Sequence, residues 1–130
     1  MKRKKKNKNI SIIGFEPASS PVYAGGKQGV HHIIGIGPGF VTENFKRSKE
    51  YLDEIVHVSD EDAYETTRLL AKKMGVFTGV TSGASAWVAG NVAQRDEFSG
   101  KTIVCFFYDT GERYLTTEEL FQVGDTEKVS

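Results

Sequence analysis

The order of patterns along this chain predicts an α/β fold with a mostly parallel sheet, and two observations carry that prediction. Short β-branched runs at residues 10–15, 54–58 and 101–107 alternate with helical stretches. The first and last of these runs are apolar at nearly every position, as strands covered on both faces are. Three strands are few for an open parallel sheet, so the predicted architecture is part of a layered α/β domain rather than a whole one. At 130 residues the chain has the length of one ordinary domain.

Ile10, Ile12, Ile13 and Phe15 make the first strand, and Glu16-Pro17 is expected to end it because proline lacks a ladder donor. Residues 18–40 have no regular period and carry glycine at 25, 26, 29, 35, 37 and 39. A loop of that length in a compact domain is usually functional or disordered. Val30, Ile33, Ile34, Ile36 and Phe40 interrupt it, which predicts an ordered, packed loop. Residues 54–58 form the second strand. Ser59 followed by Asp60, Glu61 and Asp62 then starts a helix, with a capping hydroxyl and acids in the first turn. Ala63, Thr67, Leu70 and Met74 fall on one face of that helix, and Gly75 supplies its C-terminal stop.

Gly79-Val80-Thr81-Ser82-Gly83-Ala84-Ser85 leads into a second helix made of small residues, Ala84 to Ala93. Its hydroxyls are placed to cap that helix, and its glycines leave room for a flat or phosphorylated ligand near the backbone. Residues 101–107 are the third strand. A turn at Asp109-Thr110-Gly111 and a short helix or helical turn follow over residues 112–121. The division expected is a basic helix remnant over residues 1–8, the α/β body over 9–121, and a loose polar tail over 122–130.

Composition narrows the function classes. Apolar residues make up 38% and charged residues 26%, the balance of a soluble globular chain, and no apolar run approaches a membrane span. No secretory signal pattern is present. A single cysteine, Cys105, forms no internal disulfide and suits a cytoplasmic location. In an apolar strand its thiol reads as an inert small hydrophobe. Net charge is zero, but six of the 17 basic residues lie between Lys2 and Lys8, leaving 11 basic against 17 acidic residues beyond them. A basic tip on an acidic body without aromatic-basic interleaving reads better as a helix end than as a nucleic-acid arm. The arm reading would show as steeply salt-dependent DNA binding.

Local catalytic signatures are few. His31 and His32 are adjacent, which is not the spacing of a zinc pair on a helix, and His57 reads as a half-buried packing residue. The stretch Gly35-Ile36-Gly37-Pro38-Gly39-Phe40 lacks the strand, helix and glycine spacing of a dinucleotide fingerprint. Its alternate glycines either let the backbone lie flat against a ligand or form a tight irregular turn. Asp109-Thr110-Gly111 stands at the carboxyl end of a strand, where α/β sheets bind ligands, but an Asx-type turn explains it as well.

Six stretches in this order resemble the C-terminal part of cysteine synthase (O-acetylserine sulfhydrylase), a fold-type-II pyridoxal-phosphate enzyme. They are Gly14-Phe15-Glu16-Pro17, Ser20-Pro21-Val22, Gly25-Gly26-Lys27 with Gly29-Val30-His31, Gly35 to Phe40, Gly79 to Ala84, and Gly111-Glu112-Arg113-Tyr114-Leu115. The resemblance implies part of a three-layer parallel-sheet domain and a reaction of O-acetylserine with sulfide giving cysteine and acetate. A cystathionine β-synthase-type lyase is the sister activity.

Position by position, the resemblance implies that Thr81 meets the pyridine nitrogen of pyridoxal 5′-phosphate, with Ser82 and Gly35 beside the cofactor. A hydroxyl partner leaves that nitrogen largely unprotonated and moderates the electron sink. Gly35, Ile36, Gly37, Gly39 and Phe40 would form the substrate loop, and the Asp109–Tyr114 segment, with Asp109, Thr110 and Gly111, would support the pyridine-ring edge of the pocket. Partners implied are an amino-acid substrate, a second subunit in a homodimer, and the tail of serine acetyltransferase on the loop at Gly35–Phe40.

Departures from the family pattern are Val30 in place of proline, Ile34 in place of glutamine and Tyr108 in place of proline. The family's Schiff-base lysine and its phosphate cradle belong to motifs upstream of the resembling stretch. The expectation is therefore a split or truncated cysteine synthase that is inactive alone, or a non-catalytic interaction module. An unpaired sheet edge and exposed apolar faces are expected with it.

Overall fold

The computed structural model describes residues 7–117, 120 and 121. The basic segment up to Lys6 and the tail from Gln122 lie outside the described residues, so the terminal divisions expected above fall largely there. Strand β1 (Ile13–Pro17) and strand β2 (Glu54–Val58) form a two-stranded parallel sheet, with Ile13 opposite Glu54 and Pro17 opposite Val58. Glu16 and Pro17 thus stay in the strand, and residues 10–12 do not pair in it. Proline is tolerated because it is the last residue of the strand; the next amide, Ala18 N, donates to Val58 O at 2.8 Å.

The connection between the strands carries helix α1 (Glu43–Ser48), which the sequence reading did not identify. Thr42 caps it, its Oγ1 accepting from Phe45 N at 3.2 Å. Tyr23 stacks on Phe45 with ring centroids 4.0 Å apart, and its hydroxyl lies 3.2 Å from Thr42 Oγ1. The long loop is therefore ordered, as expected, but not by all of its apolar residues. Ile33 is fully buried, whereas Val30, Ile34 and Phe40 are exposed. Glu16 does the remaining anchoring: buried, it accepts from Tyr23 N at 2.7 Å and Ala24 N at 2.9 Å.

Helix α2 (Asp60–Met74) follows its predicted limits. Ser59 Oγ accepts from Asp62 N at 3.0 Å, and Gly75 closes the helix at φ 67° while Val76 N reaches back to Leu70 O at 3.1 Å. Ala63, Thr67 and Leu70 are buried; Met74, in the last turn, is exposed. Helix α3 (Val80–Ala93) begins earlier than the small-residue run suggested. It packs along α2, and every residue from Val80 to Ser85 is buried. The core joins α3 (Val80, Ala84, Val88, Val92) to Ala63 of α2, Val58 of β2, Ile33 of the loop and Tyr114.

Residues 101–107 form no strand, which corrects the third predicted strand. They have the composition of one but meet no ladder partner among the described residues. Beyond them Thr78 and Thr110 form an isolated antiparallel bridge, and Gly111–Tyr114 is one 3₁₀ turn. Cys105 is an exposed free thiol rather than a buried hydrophobe.

One ion pair ties the sheet to the end of α3. Arg95 donates from Nη1 and Nη2 to Glu54 Oε2 and Oε1 at 2.6 and 2.9 Å. That hydrogen bond holds the Glu54 carboxyl below its usual 4.5. A lowered folded-state value means that the pair stabilises fully above the unfolded value and is lost as pH falls through the lowered one. In urea titrations, the parent should therefore lose stability more steeply than Glu54→Gln below about pH 4.5.

Candidate functional site

Three segments converge on one cavity of about 580 Å³ lined by residues 34–36, Thr81, Tyr108, Asp109, Arg113, Tyr114 and Thr117. The first turn of α3 supplies its floor. Gly79 occupies the N-cap position, and no side chain caps the helix, so the capping role expected for the hydroxyl pair is not the one they have. Thr81 Oγ1 instead donates to Ile34 O at 2.6 Å, across 47 residues of chain. Ser82 Oγ accepts from Tyr108 N at 2.9 Å, and Ser85 Oγ from Phe106 N at 3.3 Å. These hydroxyls are spent on tertiary contacts because the segments they reach have no ladder of their own.

The glycine loop bends beside Thr81 with Gly35 at φ 105°, Gly37 at 61° and Gly39 at 81°, a conformation that L side chains rarely adopt. A Cβ on Gly35 would lie 3.5 Å from Thr81 Oγ1. His31 holds the loop from behind, its Nε2 2.9 Å from Gly37 O. His32 turns away, with its backbone N and Nδ1 2.8 and 2.9 Å from Asp60 Oδ2. Among the described residues no group of three or more His, Cys, Asp or Glu is placed to hold a metal ion. His57 is more exposed than a packing residue, with Nε2 3.4 Å from Glu16 Oε1.

Tyr114 forms the opposite wall and donates its hydroxyl proton to Asp109 Oδ2 at 2.5 Å. Burial, reinforced by this bond and the carboxylate charge, pushes the phenol up to about 12. Its proton therefore stays in place through the neutral range. The other oxygen, Asp109 Oδ1, is buried without a partner. Close packing against Gly79 explains its position: a Cβ there would meet Asp109 Oδ1 at 2.2 Å and Tyr114 Cε2 at 2.4 Å.

Of the residues expected at the site, Thr81, Gly35, Ile36 and Asp109 line the cavity. Ser82, Gly37, Gly39, Phe40, Thr110 and Gly111 do not line it. Ser82 and Gly111 are buried behind the wall, Gly37 and Gly39 shape the loop, and Phe40 points out with 62% of its surface exposed. Arg113 and Tyr114, within the Asp109–Tyr114 segment expected at the ring edge, also line the cavity, whereas Thr117 was not expected and Tyr108 was noted only as a departure. The 3₁₀ turn at 111–114, overlapping the helical turn expected over residues 112–121, carries Arg113 and Tyr114 to the cavity.

The chain matches the family described as "Pyridoxal-phosphate dependent enzyme" over residues 1–109 and belongs to that family. Within it, a probable cysteine synthase of Bacillus subtilis is 44% identical over 110 residues, covering 85% of this chain and 34% of that protein. The crystal structure of cysteine synthase (OASS) from Entamoeba histolytica matches with a TM-score of 0.88 at 40% identity, over 94% of this chain and 35% of that one. An O-acetylserine dependent cystathionine β-synthase from Helicobacter pylori matches with a TM-score of 0.76 at 37% identity, over 87% and 36%. The chain thus resembles cysteine synthases and spans about a third of the length of these relatives.

The family's cofactor is pyridoxal phosphate, and the cavity residues fit its ring: the Thr81 hydroxyl, the backbone of Gly35 with no side chain in the way, and the aromatic side chains of Tyr108 and Tyr114. No lysine is among the lining residues, and Arg113 is the cation among them.

Proposed function

We propose that this chain supplies the ring-side wall of a cysteine-synthase active site, for the reaction of O-acetylserine with sulfide to give cysteine and acetate, and that it is inactive alone. The observation carrying this reading is the convergence of Thr81, the loop at residues 34–36 and the Asp109–Tyr114 pair on one cavity. Pyridoxal phosphate, when bound, supplies the electron sink for losing one β-substituent and adding another. Thr81 would hold its ring nitrogen. Because the hydroxyl has one proton, Thr81 offers only lone pairs there while it donates to Ile34 O, and a donor once Ile34 is released. Residues 35 and 36 would place flat backbone against the bound amino acid, and Arg113 would attract an anionic group. Tyr114, still protonated, would keep Asp109 in place, while Tyr108 and Ile34 shield the mouth from water.

The test is incubation with pyridoxal phosphate, borohydride reduction and peptide mapping, together with a sulfhydrylase assay. The chain alone is expected to show no stoichiometric adduct on a single lysine and no turnover; finding both would overturn the reading. Thr81→Val should speed amide exchange across residues 34–39 about fivefold, the effect of one hydrogen bond worth about 1 kcal/mol. Unchanged exchange would remove Thr81 as the clasp of the loop.

The cystathionine β-synthase type is the alternative, supported by the Helicobacter pylori likeness, and cystathionine formation by a complemented enzyme would distinguish it. The exposed Phe40 favours a second role for the loop, binding a serine acetyltransferase tail. A pull-down that fails equally with the parent chain and Gly39→Asp would exclude that role. The exposed thiol of Cys105 suits a reducing cytoplasm, and a homodimer is proposed for the complete enzyme.

A further inference from the structure

A second cavity, of about 260 Å³, shares no lining residue with the first. Two parts of the connection between β1 and β2 face each other across it, Val22 to Gly25 on one side and Val41 with helix α1 on the other. Both walls are fixed by the fold itself. Buried Glu16 holds the first through the amides of Tyr23 and Ala24, at 2.7 and 2.9 Å. Thr42 sets the second, its Oγ1 accepting from Phe45 N at 3.2 Å. The stacked rings of Tyr23 and Phe45 join the two walls. Gly25, at φ 94°, leaves open space where a side chain would begin. The remaining lining is two lysines at the end of α1. Glu43 already neutralises Lys46, with Oε1 2.6 Å from Nζ. Lys49 has no carboxylate partner among the described residues.

We propose that this cavity is a second binding site, for a small carboxylate with an apolar body, and that its occupant clamps the exit of the glycine loop. The volume lies just below the range of about 300–1,000 Å³ usual for ligand sites, so the occupant is small. Val22, Ala24, Val41 and the two rings favour a hydrocarbon or aromatic body, which leaves water on entering. The unpaired Lys49 ammonium favours one negative charge on that body, met by a charge-assisted hydrogen bond. A bare anion would leave the apolar walls wet, and a cation would meet two lysines and no acidic lining residue. Val41 directly follows Phe40, the last residue of the glycine loop. An occupant that bridges Val41 and Phe45 to Val22 and Ala24 therefore pins the point where that loop ends. Because the two cavities have no lining residue in common, the proposal stands apart from the active-site reading above.

The test is titration of the 130-residue chain with phenylacetate, read by amide chemical shifts and amide exchange. Saturable shifts confined to residues 22–25 and 41–49 are expected, with half-saturation at about 1 mM or below. Exchange at residues 40–42 should slow about threefold or more at saturation. Two further probes separate body from charge. Phenylacetamide keeps the ring without the charge and should bind at least about fivefold more weakly. Acetate keeps the charge without the ring and should give no saturable shift. Lys49→Gln should weaken phenylacetate binding by a similar factor of about five. Ala24→Trp fills the cavity from an exposed position while its backbone amide stays bonded to Glu16, and it should abolish binding. Parental shifts in α2 and α3 show that both variants fold. Equal binding of phenylacetamide, an unaffected Lys49→Gln, saturable binding of acetate, or phenylacetate shifts still linear at about 10 mM overturns the site. Saturable binding that leaves exchange at residues 40–42 unchanged overturns the clamp.

Discussion

Gly83→Ala should destabilise the chain by about 3 kcal/mol, the upper end of what overpacking usually costs. A Cβ at Gly83 would lie 2.0 Å from Thr67 Oγ1 and 2.5 Å from Ala63 O, both in α2. The hydroxyl is not free to swing away, because it donates to Ala63 O at 2.7 Å. The second obstacle is backbone, so relief requires the helices to separate, and that opens the core between Ala63, Val80 and Ala84. Gly90→Ala in the same helix is the control. Nothing lies within 4 Å of a Cβ there, so the change should stabilise by up to about 1 kcal/mol through helix propensity. Opposite shifts of the urea midpoint at unchanged slope would bear this out; a neutral Gly83→Ala would mean that α2 and α3 are not held at this distance.

Ile33→Ala should cost about 2–5 kcal/mol, the range for truncating a buried aliphatic side chain. Ile33 is fully buried and is the loop's member of the core cluster. On either side of it stand the two clasps of the glycine loop, His31 at Gly37 O and Thr81 at Ile34 O. Losing the apolar anchor should therefore loosen residues 31–39 more than it loosens α2. Ile33→Val, which keeps most of the side chain, should cost only about 0.5–1.5 kcal/mol. Hydrogen exchange resolved by residue gives the comparison: uniform loosening would make Ile33 a general core residue and not the anchor of the loop.

Helix α2 was legible in the sequence because its information is local: a Ser59 cap, three acids, one apolar face and a glycine stop all lie within 17 residues. Strand β2 was legible for the same reason. Residues 101–107 mark the limit, since a strand is defined by its neighbour and composition describes only the segment itself. Helix α1 escaped notice because six residues give too little periodicity to read.

At the site, the family resemblance pointed to Thr81, Gly35, Ile36 and Asp109 as pocket residues, where the residues taken alone left caps and turns as alternatives; these four line the cavity. Tertiary structure decided what their atoms bond to. From the sequence, Thr81 and Ser82 form a hydroxyl pair at a helix mouth; in the fold the proton of one clasps a loop 47 residues away and the other accepts from Tyr108 N. Arg113 and Tyr114 reach the cavity on a 3₁₀ turn and Thr117 from just beyond it; the sequence indicated a helical turn there, but which of its side chains face the cavity is set by packing against α3. The physical division is one of range. Caps, faces and glycine stops are settled within a few residues, whereas a hydroxyl's partner or a strand's edge depends on segments that meet only after folding.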